Sequence, residues 1–305
     1  MTNDQINQRG PGSSLEFTLP YQPPFLWDRL LEFWAGRAIL GVEVVSRDRY
    51  TRTVRPETHE GQILSGWFSL ENDPDHDQVR VWASPSLQGQ QAFLEARVRH
   101  MFDLDSDPLV IAQKLESMNE IQEGLFFAGT RVPGSYDPFE MAVRAILGQQ
   151  ITVKAAQTLA GRLASQLGHP VQTPVPGLTH SFPSPSQVMA LGPGIADYLG
   201  PLGVTGRRSQ TIGALAALIQ SGEMDFLSDS DIHAKMKRLM DIPGIGPWTA
   251  HYMAMRAMRW SDAFPGSDYG VKKVLAPRSQ KEIHELAEAW RPWRAYAVAG
   301  IWNSR

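Results

Sequence analysis

The sequence predicts an α+β protein: a small antiparallel-sheet domain at residues 16–88, then an all-α body at 89–305. Three observations carry this. Residues 42–83 hold strand-like runs of alternating and β-branched residues, with Asn72-Asp73-Pro74-Asp75 as a turn. From residue 90 the apolar spacing becomes helical, in roughly ten segments with short connections, the pattern of a packed bundle. Between two of these segments sits the tight run Pro243-Gly244-Ile245-Gly246.

Taken in order, residues 1–15 are polar with Gly and Pro and read as an unstructured tail. Phe17-Thr18-Leu19 reads as a short strand. Pro23-Pro24 precedes an apolar helix from Phe25 to Ile39, with Leu26, Leu30, Phe33, Trp34 and Arg37 at helical spacing. Strands are expected at Val42–Val54, Gln62–Leu70 and Gln78–Ala83. Asp73, Asp75 and Asp77 lack the glycine and closing glutamate of a calcium loop, so a solvated turn is expected. Helices are expected at Gln90–Phe102, Asp107–Met118, Asp137–Gly148 and Thr152–Leu167. A Pro-rich connection, Val171–Ser186, separates them from helices near Ser186–Ala190, Arg207–Ile219, Asp231–Met240, Pro247–Trp260, Gln280–Trp290 and Trp293–Trp302. The body is read as two helical subdomains with a cleft between them.

Composition limits the chemistry. At 42% hydrophobic and 20% charged the chain is globular. With no cysteine it has no disulfide, no thiol nucleophile and no cysteine-held zinc or iron–sulfur cluster. No signal peptide or membrane-length apolar run is seen, so a cytoplasmic protein with no membrane partner is expected. The net charge of −3 is uneven: residues 134–305 carry 17 Lys/Arg against 13 Asp/Glu, which is compatible with phosphate contact.

The stretch from Leu239 to Leu275 holds the candidate chemistry. Two glycines two apart let a backbone approach a phosphate closely, and Pro247 begins a helix whose first N–H groups carry partial positive charge. Together they make an anion site that reads backbone, with no lysine required. The alternative is a plain helix–helix turn. Leu239, Ile242 and Ile245 suit its core, and the small pair Thr249-Ala250 lets the helices cross closely. Asp268 stands 22 residues after Gly246 and precedes a helix bearing Lys272 and Lys273. It reads as a helix N-cap, a role compatible with catalysis because a cap fixes its side chain. Trp248, Tyr252, Trp260, Tyr269, Trp290, Trp293, Tyr296 and Trp302 cluster around it in sequence. Such residues are core by default, but an aromatic wall beside a carboxylate suits an extruded cationic base.

The run from Leu239 to Asp268 resembles the helix–hairpin–helix, Gly/Pro-rich loop and aspartate of base-excision DNA glycosylases. Tyr21-Gln22-Pro23-Pro24, Arg144-Ala145-Ile146-Leu147-Gly148-Gln149 and Trp290-Arg291-Pro292-Trp293-Arg294-Ala295-Tyr296-Ala297 extend the similarity to the bacterial 3-methyladenine DNA glycosylase II family, from about residue 16 onward. The resemblance implies a monofunctional enzyme of base-excision repair, hydrolysing the N-glycosidic bond of alkylated purines after base flipping. It implies that Asp268 is catalytic and that Phe33, Trp248, Tyr252, Tyr269 and Trp302 wall the base pocket. It implies DNA contact through Gln149, Gln150, Gly244, Gly246, Trp248 and Thr249, with Gln150 as the wedge in the duplex. Carbonyls of Met240, Ile242 and Ile245 would hold a structural Na+ or K+, with no cofactor for catalysis. The partner would be double-stranded DNA with alkylated bases, bound by a monomer in the cytoplasm at the nucleoid. Trp248 stands where strand-cutting relatives keep a nucleophilic lysine, and Ser267 stands where a second acid can occur. The rival readings are a bifunctional glycosylase for oxidised bases and a non-catalytic DNA-binding module.

Overall fold

The computed structural model describes residues 15–58, 61–228 and 230–304, so residues 1–14 of the expected tail lie outside it. Five strands, β1 (Leu15–Pro20), β2 (Glu43–Val45), β3 (Arg49–Val54), β4 (Gly66–Asp73) and β5 (Gln78–Ala83), form one antiparallel sheet in the order β1-β5-β4-β3-β2. The run expected from Val42 to Val54 is two strands, because the chain turns where Ser46 N–H donates to Arg49 O at 2.9 Å. The register pairs Leu19 with Val79, Phe68 with Ala83 and Tyr50 with Leu70. By the period-two pleat, Phe17, Leu19, Tyr50, Phe68, Leu70, Val79 and Val81 share one buried face.

The Asp73 turn differs from the expected solvated loop. Its carboxylate is 5% exposed and accepts from Arg80 Nη2 at 2.7 Å and Gln78 Nε2 at 3.0 Å, so it ties the β4–β5 corner. These hydrogen bonds, with that of His76, hold its pKa below the usual carboxylate range.

Helix α1 (Trp27–Ala35) is shorter than the expected Phe25–Ile39 and stops before Gly36. It faces two ways. Trp27, Leu30, Leu31 and Trp34 pack on the sheet, while Phe33 turns to the helical body. Helix α2 (Gln91–Phe102) also packs on the sheet through Leu94, Val98, Met101 and Phe102. The change from strand to helix near residue 88 therefore precedes the end of the sheet's apolar cluster, which reaches Tyr136.

The body contains α3 (Pro108–Leu115), α4 (Met118–Ile121), α5 (Pro138–Leu147), α6 (Val153–Leu167), α7 (Pro185–Met189), α8 (Ile195–Leu199), α9 (Gly206–Gln220), α10 (Ile232–Met240), α11 (Pro247–Arg256), α12 (Tyr269–Val274), α13 (Gln280–Glu288) and α14 (Arg294–Asn303). Aspartates, serines and threonines cap many of them, as at Asp137, Thr152, Thr205 and Ser279. The expected helix to Trp260 ends at Arg256. Arg259 has φ 58°, and Trp260 N–H folds back to Ala254 O at 3.0 Å, which releases the chain toward Asp268. A second apolar cluster fills this body, with Leu239, Ile242, Ile245, Ala250, Met253 and Val271 among its members.

A buried ionic group crosses from the sheet to the body. Arg52 on β3 meets Glu140 on α5 at 2.6 Å, and Arg144 on α5 meets Glu43 on β2 at 3.2 Å. Arg144 Nη2 also donates to Arg37 O, so the chain leaving α1 is held against α5.

Candidate functional site

The hairpin forms where the apolar ends of α10 and α11 pack together. Ile242 N–H closes on Leu239 O at 3.1 Å, and Ile245 N–H on Ile242 O at 3.0 Å. Gly244 has φ 100°, and a Cβ there would lie 2.3 Å from Thr211 Oγ1 on α9. A glycine is required on both counts. Thr211 Oγ1 donates to Pro243 O at 2.7 Å, and Gln149 Nε2 donates to Gly244 O at 2.9 Å and to Thr249 Oγ1 at 3.0 Å. Gln149 and Thr249, expected at the DNA surface, are thus braces of the hairpin. Thr249 is 2% exposed, because its small side chain sits at the helix crossing. Gln150 is exposed at the turn between α5 and α6, in the left-handed region at φ 56°. Gly246 caps α11 with an extended backbone, and Pro247 follows at the first helical position.

Asp268 caps α12. Its Oδ1 accepts from Gly270 N at 2.8 Å and Val271 N at 3.3 Å. Two indoles complete the arrangement: Trp302 Nε1 donates to Oδ1 at 3.1 Å and Trp248 Nε1 to Oδ2 at 3.3 Å. The carboxylate is therefore clamped between α11, α12 and α14. Their aromatic rings adjoin. Trp248 stacks on Tyr252 with centroids 5.2 Å apart, Tyr252 is 5.9 Å from Trp302, and Trp302 stacks on Phe33 at 5.7 Å. Phe33, Trp302, Tyr252 and Trp248 thus form a continuous run of rings, two of which bond to Asp268, with Phe33 delivered by α1 from the sheet side. Tyr269 does not join them: it is 75% exposed and pairs with none of these rings. Trp290 is core at 1% exposure, and Trp260 stacks on His251 instead.

Two site residues escaped the sequence reading. Arg37 lies over the Phe33 ring at 3.8 Å, and Arg256, 1% exposed, lies 4.8 Å from the same ring. The signal was present, since Phe33/Arg37 and Tyr252/Arg256 are each four apart on a helical pattern and so share a face. Burial pushes both guanidinium pKa values down, while Tyr252 pulls them back. Burial opposes ionisation of Tyr252, but Arg256, Arg37 and Arg144 together bring its pKa below the ordinary value.

A hollow of about 300 Å³ lies elsewhere and is lined by His100, Asp103, Trp260, Trp293 and Tyr296 among others. Among the described residues no group of three or more His, Cys, Asp or Glu is placed to hold a metal, and no helix is long and apolar enough to cross a membrane. Met240 O and Ile245 O receive no backbone donor among the described residues, whereas Ile242 O already accepts from Ile245 N–H.

Residues 16–137 match the AlkA N-terminal domain, and residues 143–292 match the HhH-GPD superfamily of base excision DNA repair proteins. DNA-3-methyladenine glycosylase 2 of Escherichia coli is 32% identical over 286 residues, covering 94% of this chain and 96% of that protein. A probable bifunctional transcriptional activator/DNA repair enzyme AlkA of Mycobacterium tuberculosis is 34% identical over 296 residues; the chain spans 57% of that longer protein. Among solved structures, a 3-methyladenine DNA glycosylase from Archaeoglobus fulgidus superposes with a TM-score of 0.75 at 18% identity, over 93% of this chain and 96% of that one, which shows the shared fold.

Proposed function

Because the chain belongs to the HhH-GPD superfamily of base excision DNA repair proteins, we propose that it is a monofunctional DNA glycosylase releasing alkylated purines from duplex DNA. The observation that carries this is the clamped carboxylate: Asp268 receives both indole N–H groups of the aromatic wall as well as two backbone N–H groups. The hairpin holds a phosphate through the N–H groups around Gly244, Gly246 and Trp248, assisted by a Na+ or K+ at the carbonyls of Met240, Ile242 and Ile245. Gln150 fills the gap left in the stack. The extruded base lies against Trp248, Tyr252, Trp302 and Phe33.

In the reaction the C1′–N bond breaks and the electron pair leaves with the base. Positive charge grows on the sugar, and the Asp268 carboxylate stabilises it in place. Water adds to C1′, and Asp268 is the acceptor at hand for the proton it loses. Alkylation at N3 or N7 makes the base cationic and a good leaving group, so the required electrostatic help is modest. Trp248 occupies the hairpin exit where a Schiff-base lysine would stand, so base loss proceeds without strand cleavage. The enzyme acts as a monomer on cytoplasmic, nucleoid DNA.

Asp268→Asn keeps the helix cap and tests the assignment. Release of 3-methyladenine should fall about a hundredfold or more, with duplex binding unchanged. Normal release by that variant, measured as free base, refutes the mechanism.

A further inference from the structure

The Tyr252 hydroxyl has a proton without a protein acceptor. Its oxygen accepts from Arg256 Nη1 at 2.9 Å. Arg256 cannot swing away, since Nε donates to Pro133 O at 2.7 Å and Nη2 to Gly134 O at 3.1 Å. A guanidinium offers donors only, so the phenol proton is not used in that contact. No acceptor for it is found among the described residues. The ring is only partly buried, and it lies beside the two indoles that donate to Asp268. The ring therefore borders the space that an extruded base would enter, with its hydroxyl held at the Arg256 end.

The surroundings of this hydroxyl are cationic. Arg256 touches it, Arg37 covers the neighbouring Phe33 ring, and Arg144 holds the backbone of Arg37. The pocket is thus polarised, with positive charge behind Tyr252 and the Asp268 carboxylate at the other end. A carbonyl oxygen suits the positive end twice, by accepting the phenol proton and by turning its negative dipole toward the guanidinium groups. An amino group turns N–H dipoles toward the same charges and must share an oxygen already engaged by Arg256.

We propose that Tyr252 is a specificity-determining residue whose hydroxyl donates to the carbonyl of an extruded 6-oxopurine, favouring such bases over 6-aminopurines, with Arg256 as its positioning residue. The inference rests on the glycosylase reading above. It asks one hydroxyl to distinguish 7-methylguanine and hypoxanthine, which carry a carbonyl at C6, from 3-methyladenine, which carries an amino group there. Two of these bases are cationic in DNA and one is neutral, so the effect separates from base charge.

The test is single-turnover base release from duplexes that each hold one of the three bases, by the wild-type chain and by Tyr252→Phe, which keeps the ring. The expected result is that release of 7-methylguanine and hypoxanthine falls about tenfold more than release of 3-methyladenine, the worth of one hydrogen bond. An equal fall for all three, or no change for any, overturns the specificity role while leaving the glycosylase reading intact. Failure of the wild-type chain to release any of the three overturns both.

Discussion

At the scale of single residues, the site is organised by side chains that hold one another rather than by isolated reactive groups. His251 shows how far this extends. It lies on α11, and its Nδ1 accepts from Phe264 N–H at 3.2 Å, tying the hairpin's second helix to the loop that delivers Asp268. Burial, with Arg294 and His284 nearby, holds its pKa down at about 4, and burial beside Arg259 does the same for His100. Both stand near 6.5 when unfolded, so the unfolded chain binds more protons between about pH 6.5 and 4. Stability should therefore be full above that window and be lost as the pH falls through it. Denaturant unfolding between pH 4 and 7.5 checks the sign. His251→Asn should flatten the dependence, because it removes one of the two buried imidazoles. Stability that rises on acidification contradicts the assignment.

At the scale of elements, the hairpin depends on a neighbour that is distant in sequence. Thr211 on α9 holds Pro243 O, and Gln149 beyond α5 holds Gly244 O. The loop is thus shaped by two segments outside its own pair of helices. Gly244→Ala places a Cβ against Thr211 Oγ1 and forces φ 100° on an L-residue. The cost should be about 1–2 kcal/mol from the backbone alone, with the contact adding to it. Weaker binding to undamaged duplex is expected, read by fluorescence anisotropy, together with a lower unfolding midpoint. Unchanged affinity means that the loop does not carry the phosphate contact. Gly246 is different: an added Cβ meets nothing within 4 Å, and its φ is negative, so alanine there should be tolerated in the free protein.

At the scale of the whole molecule, the sheet serves the site by fixing α1. Phe33 reaches the pocket because the next residue of α1, Trp34, packs against Tyr50 and Phe102 at 5.4 and 6.1 Å. The Arg52–Glu140 and Arg144–Glu43 pairs then lock the sheet to α5. Arg52→Met leaves two buried carboxylates, Glu43 and Glu140, to Arg144 alone and should cost about 3–5 kcal/mol in urea unfolding. Pairing it with Glu140→Leu should recover most of that loss, since the charge goes with its partner and Arg144 still has Glu43. If the double variant is as unstable as the single one, the seam is held by packing and not by the ion pair.

The sequence by itself determined the order of the elements, the hairpin and the identity of Asp268 as a capped acid, because each is written in local pattern: alternation, helical spacing, Pro-Gly-Ile-Gly and the residues that precede a helix. It also held Phe33, Trp248, Tyr252 and Trp302, which the structure brings together on α1, α11 and α14. Tertiary structure alone decided which aromatics form the wall. Tyr269 neighbours Asp268 in the chain and stays exposed, whereas Trp302 is 34 residues away and bonds to it. It also decided that Gln149 braces the hairpin, and that Arg37 and Arg256 stand behind the wall. The physical reason is that periodicity tells which face a residue occupies, but contact partners follow from how helices cross. That crossing is set by apolar packing and buried charge pairs between residues up to a hundred positions apart.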